Sequence, residues 1–145
     1  MNAEFTYKRS VQFAETDMAG VLHFSNYFRL MEEAEHAFWR SLGLSVYMGD
    51  RAEQVSWPRV AVNCEYKSPA RFEDALELRV SISEVGSRSL RFQVTFERDG
   101  QLLATGTMTT VCCAMSAGSF RAIEIPPAIR AKLIEQCRTK PGSVE

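Results

Sequence analysis

The stretch Asn26-Tyr27-Phe28-Arg29-Leu30-Met31-Glu32-Glu33-Ala34-Glu35-His36-Ala37-Phe38-Trp39-Arg40-Ser41-Leu42 decides how this chain folds. Tyr27, Leu30, Met31, Ala34 and Phe38 recur at i, i+3 and i+4 spacing, which predicts one helix over 26–42 with a broad apolar face. Ser25 or Asn26 suits its N-cap and Gly43 its exit. A helix that is apolar on one face needs a covering layer.

The flanking sequence offers strands for that layer. Upstream, Phe5, Tyr7, Val11 and Phe13 stand at even spacings and predict a first strand over 5–13, followed by a loop over 14–24. Downstream, past a connector over 43–58, the period changes to two. Val60, Val62, Cys64 and Tyr66 alternate with polar or small residues, as do Leu76, Leu78, Val80 and Ile82, and then Leu90, Phe92, Val94 and Phe96. Asp99-Gly100 marks a hairpin whose second strand runs over 102–115. A short helix over 125–137 follows Pro126-Pro127. One long helix plus about four long antiparallel strands predicts an α+β fold in which a curved antiparallel sheet wraps the central helix. Residues 1–138 form a single domain in this reading, and 139–145 a flexible tail.

Composition narrows the function. The chain has 145 residues and a formal net charge of −1, with arginines scattered rather than striped. That excludes disorder and a nucleic-acid or membrane-surface partner. No apolar run approaches the ~18 residues of a membrane span. Met1 to Ser10 is polar and charged, unlike a secretory signal. Cys64, Cys112, Cys113 and Cys137 contain no CxxC pair, and the adjacent two would point to opposite faces of a strand. They read as reduced, buried thiols of a cytoplasmic protein, and imply no metal or cofactor.

Residues 13–28 carry the chemistry. They place Asp17, Gly20 and His23 within seven residues, just ahead of the helix. A helix start offers unpaired N–H groups and a positive dipole end, which keep a nearby carboxylate ionised. An ionised carboxylate can attack a carbonyl or activate water. Donors at the same helix end can hold the developing oxyanion, worth on the order of 10²–10³ in rate for one donor. The competing reading of Asp17 is a loop aspartate that holds a turn through its own backbone.

The segment Glu15-Thr16-Asp17-Met18-Ala19-Gly20-Val21-Leu22-His23-Phe24-Ser25-Asn26-Tyr27, in this order of elements, resembles the hotdog-fold acyl-CoA thioesterases of the 4-hydroxybenzoyl-CoA thioesterase type. It is also similar to the 1,4-dihydroxy-2-naphthoyl-CoA hydrolases of that branch. The resemblance runs from Tyr7 to about Leu133, and Asp17, Gly20, Val21, Leu22, Phe24 and Tyr27 fit the family's motif. It implies hydrolysis of an acyl-CoA thioester to a free acid and coenzyme A. Asp17 would be nucleophile or general base, and the Phe24 N–H would polarise the carbonyl. Gly20 would permit the tight turn and the ligand's approach, with His23 and Tyr27 contacting substrate. The family often has an aromatic residue followed by His where this chain has His23-Phe24, so no catalytic role carries over to His23. Family members bind coenzyme A phosphates around a turn like Gly86-Ser87-Arg88-Ser89, which makes Arg88 and Ser89 the candidates here. The resemblance further implies a homodimer or homotetramer with its active site at a subunit interface. Another hotdog branch uses a helical glutamate as its base, so Glu32, Glu33 and Glu35 need comparison; their spacing reads as a solvated or interface-facing flank, and Glu32 with His36 as an i, i+4 contact. Two alternatives stand beside hydrolysis: a hotdog hydratase or dehydratase, and a non-catalytic acyl-CoA sensor.

Overall fold

Alternating burial along three neighbouring strands builds the main layer. A computed structural model of the chain describes residues 4–49 and 54–138. Strands β5 (Ala75–Val85), β6 (Ser89–Arg98) and β7 (Gln101–Val111) form an antiparallel meander; β1 (Phe5–Ser10) joins beside β5, and β4 (Arg59–Tyr66) beside β7. Leu76, Leu78, Val80 and Ile82 of β5 and Leu90, Phe92, Val94 and Phe96 of β6 all point to the buried face. Helix α1 (Asn26–Ser41) lies on that face with Leu30, Met31, Ala34, Phe38 and Trp39 buried. Fully burying a side chain the size of Leu30, Met31 or Phe38 stabilises by roughly 1.5–3 kcal/mol. Edge-to-face rings fix the register of helix on sheet: Phe38 meets Phe92 at 5.4 Å and Tyr27 meets Phe96 at 5.2 Å between centroids.

A second, smaller sheet orders β2 (Tyr47–Gly49), β3 (Gln54–Ser56), β8 (Cys113–Ser116) and β9 (Ser119–Ala122). The chain closes with α2 (Pro127–Arg138), whose Lys132 Nζ donates to the Leu42 carbonyl at the end of α1 at 2.9 Å. No helix among the described residues is long and apolar enough to cross a membrane.

The sequence expectations hold for the helix, the meander and the layer arrangement, and differ in four places. The first strand stops at Ser10, because residues 13–15 tighten into a 3₁₀ turn. The connector contains β2 and β3. The strand expected over 102–115 ends at Val111, and the chain passes to the second sheet: Cys112 N–H donates to Arg88 C=O at 2.7 Å and Cys112 C=O accepts Ile123 N–H at 2.9 Å. Cys112 and Cys113 are consequently both buried rather than split between two faces, and burial pushes the Cys112 thiol up to about 11. Finally, β4 is an edge strand whose apolar residues are left uncovered, with Val60 61% and Val62 49% exposed. The expected tail over 139–145 lies outside the described residues.

The helix reaches the sheet because β7 carries Gly106 beneath it. A Cβ there would fall 2.2 Å from Met31 Sδ and 3.2 Å from the Asn63 carbonyl oxygen, so both the fully buried Met31 side chain and the neighbouring β4 backbone would have to shift. Gly106→Ala is therefore expected to lower the unfolding free energy by about 1–3 kcal/mol in urea titration, the usual cost of overpacking a filled core.

Candidate active site

The site forms at the end of the main sheet where β1 stops, α1 begins and the chain crosses from β4 to β5. After the 3₁₀ turn Phe13–Glu15 the backbone doubles back between Thr16 and Leu22. Asp17 N–H donates to Val21 C=O at 2.9 Å, and Gly20 N–H returns to Asp17 C=O at 2.9 Å. Gly20 closes this turn at φ +81°, the left-handed region that favours glycine. A Cβ at Gly20 would meet nothing within 4 Å, so the requirement comes from the backbone and not from crowding within the chain.

Asp17 fulfils its bland role with one oxygen. Its Oδ1 accepts the N–H of Ala19 at 2.9 Å and of Val21 at 3.4 Å. Among the described residues no hydrogen bond uses its Oδ2, which leaves that oxygen for chemistry.

The helix start is built without the expected cap. Ser25 stands at the N-cap position but its hydroxyl makes no cap bond; it lies 2.7 Å from His23 Nδ1, to which Ser25 N–H also donates at 3.2 Å. Accepting that N–H assigns the neutral His23 ring its proton on Nε2. The Asn26 side chain turns back and donates to Glu15 C=O at 2.9 Å, and the same carbonyl takes His23 N–H at 2.9 Å. Phe24 N–H donates to no group among the described residues, at the positive end of a 16-residue helix.

These groups share one open cleft of about 350 Å³. Asp17, Val21, Leu22, Phe24 and Tyr27 line one side; Tyr66, Lys67, Ser68 and Pro69 from the crossing loop line the other. That loop is tied to the Asp17 loop by Leu22 N–H to Ala70 C=O at 2.7 Å. Tyr66 donates its hydroxyl to Phe24 C=O at 3.0 Å and packs edge-on against Tyr27 at 4.9 Å. Burial raises the Tyr27 phenol, against a smaller opposing contribution from the Ala70 main chain, so it stays a neutral phenol.

Of the residues singled out in the sequence, Asp17, Phe24 and Tyr27 thus meet in the cleft. Gly20 shapes the turn beside it, and His23 stacks on the Phe24 ring at 4.6 Å without lining the cleft. Arg88 and Ser89 sit at the opposite end of β5 and β6, roughly 30 Å away along an 11-residue strand, and do not reach the cleft within one chain. Tyr66, Lys67, Ser68 and Pro69 had no motif to announce them; they come to the site because β4 ends there. The helix glutamates are engaged elsewhere. Glu35 is not on a solvated flank: it is 1% exposed, accepts Trp39 Nε1–H at 3.2 Å and pairs with Arg59, which also holds Glu32 at 3.2 Å. Burial pushes the Glu35 carboxyl up, with the Arg59 charge opposing it. Glu33 accepts from Tyr7 Oη at 3.0 Å and from Arg9. No group of three metal-ligating side chains occurs among the described residues.

A curved antiparallel sheet wrapped on one long helix, with a loop cleft at the helix start, defines the hotdog fold of thioester hydrolases. A family model described as the thioesterase-like superfamily matches residues 11–133, and the chain belongs to that family. A curated protein of Aquifex aeolicus, provisionally named as an esterase, is 33% identical over 126 residues, covering 86% of this chain and 94% of its own. A 1,4-dihydroxy-2-naphthoyl-CoA hydrolase of Synechococcus elongatus is 27% identical over 112 residues, covering 76% and 82%. Among solved structures, a gentisyl-coenzyme A thioesterase superposes with a TM-score of 0.75 at 27% identity, over 87% of this chain and 99% of that one.

Glu15 anchors the loop electrostatically. Arg9 grips both its carboxylate oxygens at 2.5 Å, and this holds the Glu15 carboxyl below its ordinary 4.5, with burial opposing and Gln12 N–H assisting. A carboxyl lowered in the folded state adds stability above its unfolded value and loses it as pH falls through the lowered one. The urea-derived unfolding free energy should therefore fall between about pH 4.5 and more acid values, and Glu15→Gln should flatten that part of the curve while leaving less stability at pH 7.

Proposed function

We propose that this protein hydrolyses an aromatic acyl-CoA thioester to the free acid and coenzyme A, with Asp17 as the reacting carboxylate. The single observation that carries the reading is that Asp17 and Phe24 line one cleft with a carboxylate oxygen and a backbone N–H that have no hydrogen-bond partner among the described residues. The thioester oxygen would accept the Phe24 N–H, which polarises the carbonyl and stabilises the oxyanion that develops. Asp17 Oδ2 then acts in one of two ways. As nucleophile it bonds to the carbonyl carbon and expels the coenzyme A thiolate, leaving a mixed anhydride that water opens. As general base it takes a proton from water while the water oxygen attacks. Either route ends with a carboxylic acid and a thiol.

The aromatic acyl group is supported by the rings of Phe24, Tyr27 and Tyr66 on the cleft and by the substrates in the names of two relatives. Four free thiols, Cys64, Cys112, Cys113 and Cys137, suit a reducing, cytoplasmic compartment.

The same reading includes self-association. The outer edge of β4 pairs with nothing among the described residues, and Val60, Val62 and Tyr66 are exposed along it. An unpaired apolar edge invites a second copy. Arg88 and Ser89 would then meet coenzyme A only across a subunit boundary.

Thiol release from a panel of aryl, short-chain and long-chain acyl-CoA thioesters tests the substrate, with aryl thioesters expected to give the highest kcat/KM. On the best substrate Asp17→Asn should keep KM near the parent's and lower kcat by on the order of 10³ or more, while Glu32→Gln, Glu33→Gln and Glu35→Gln lose much less. The reverse order would move the site to the helix. Light scattering should give a dimer or tetramer, and Val62→Lys should shift it toward monomer with loss of activity; a stable, active parent monomer would refute the assembly.

A further inference from the structure

One part-buried ion cluster next to the cleft has no part in the chemistry above. Arg9, near the end of β1, uses its whole guanidinium. Nη1 and Nη2 each hold an oxygen of Glu15 at 2.5 Å, Nε donates to Glu33 Oε1 at 3.1 Å, Nη2 donates to Glu33 Oε2 at 3.0 Å, and Nη1 also reaches Ser10 C=O at 2.9 Å. The Arg9 and Glu15 side chains are each 14% exposed. Glu15 belongs to the loop that carries Asp17; Glu33 belongs to α1, which presents the Phe24 N–H at its start.

The backbone of Glu15 continues the connection. Its carbonyl accepts both His23 N–H and the Asn26 side chain, the two groups that flank Phe24 and Ser25 at the helix start. Its side chain meanwhile accepts Gln12 N–H at 2.8 Å, closing the 3₁₀ turn that leads to Asp17. A displacement of Glu15 would thus move the carboxylate loop and the helix start relative to each other.

We propose that Arg9 and Glu15 are the positioning pair of this enzyme: the planar fork of Arg9, clamped between loop and helix, sets the separation of the Asp17 carboxylate from the Phe24 N–H. A lysine keeps the charge but cannot give two parallel hydrogen bonds to one carboxylate while serving a second. The inference rests on the Asp17 and Phe24 reading above, and it adds the element that holds the two groups in register.

The test compares Arg9→Lys and Glu15→Gln with Arg79→Ala, which breaks a set of ion pairs to Glu77 and Glu97 remote from the cleft. With the best aryl-CoA substrate, Arg9→Lys and Glu15→Gln should each lower kcat by about 10–100-fold, the cost expected of a misplacement near 1 Å, and change KM by less than about threefold. Arg79→Ala should leave both parameters within about twofold. In an Asp17→Asn background, Arg9→Lys should cost less than about twofold more, since a clamp acting through Asp17 has nothing left to position. Should Arg9→Lys fail to fold, Glu15→Gln carries the same comparison, because glutamine preserves the shape and still accepts from Gln12. Folded variants with kcat within twofold of the parent, or with the whole loss in KM, or with the full loss repeated in the Asp17→Asn background, would overturn the positioning role alone. Parent-like kcat in Asp17→Asn itself would overturn the Asp17 reading and this inference with it.

Discussion

One helix has to be buried by one sheet, and most features of this molecule follow from that constraint. The face of α1 formed by Leu30, Met31, Ala34, Phe38 and Trp39 finds its cover on β5, β6 and β7, where alternate residues are fully buried. Gly106 lets the backbone of β7 pass under Met31 with no side chain between. A single helix is only about 10 Å wide, so it cannot cover a five-stranded sheet from edge to edge. Strand β4 is the one left over, and its exposed valines are the residue of that mismatch. The geometry that makes the core complete within one chain is the same geometry that leaves the apolar side chains of β4 exposed.

The position of the cleft follows from chain path. β1 ends, α1 starts and β4 ends at the same end of the sheet, so three segments with unsatisfied backbone groups converge there. Only Leu22 of the turn at 16–22 is buried. Hydrophobic burial therefore does little to hold this loop, and directional contacts replace it: Asp17 N–H to Val21 C=O, Leu22 N–H to Ala70 C=O, and the Arg9 grip on Glu15. Hydrogen bonds fix angle as well as distance, which apolar packing does not. A carboxylate on a polar, tied loop over a packed scaffold is an arrangement in which precision is supplied locally while stability comes from the core.

Periodicity made the helix, the meander and their layering readable, because burial on one face imposes a period of 3.6 or 2 wherever it occurs. What escaped were places where the chain departs from a period for tertiary reasons. Val60, Val62 and Tyr66 alternate like a covered strand, yet alternation records only that one face is apolar, and cannot say whether the cover comes from the same chain. Leu102 to Met115 reads as one strand, but the backbone leaves the first sheet at Cys112, where its polar groups are taken by Arg88 and Ile123 rather than by a strand neighbour. At the site, the motif located Asp17, Phe24 and Tyr27, which are close in sequence. Tyr66 to Pro69 are some 40 residues downstream, and only the end of β4 brings them in. Ser25 looked like a helix cap, but His23 two residues earlier offers its hydroxyl a competing acceptor at 2.7 Å.

The three helix glutamates sharpen the case for the loop aspartate by their own chemistry. A general base or nucleophile needs an oxygen that is ionised, unengaged and facing the substrate. Glu33 is committed to Arg9 and Tyr7, and Glu32 to Arg59 on the surface. Glu35 has a raised carboxyl pKa, and a perturbed buried carboxyl is often a catalytic one. Here the perturbation has a structural origin: burial raises the carboxyl, while the charge of Arg59, at the start of β4, and the Trp39 Nε1–H hydrogen bond oppose the rise. Removing Arg59 would leave the buried Glu35 charge uncompensated, so the pair ties β4 to the helix and is not free to transfer protons. It also lies nine residues into α1 from Asn26, about 13 Å along the axis from the helix start. Asp17 differs in engagement and placement: one oxygen is spent on its turn, the other takes no hydrogen bond among the described residues, and the residue lines a cleft whose opposite wall includes the end of the strand that Glu35 and Arg59 hold in place.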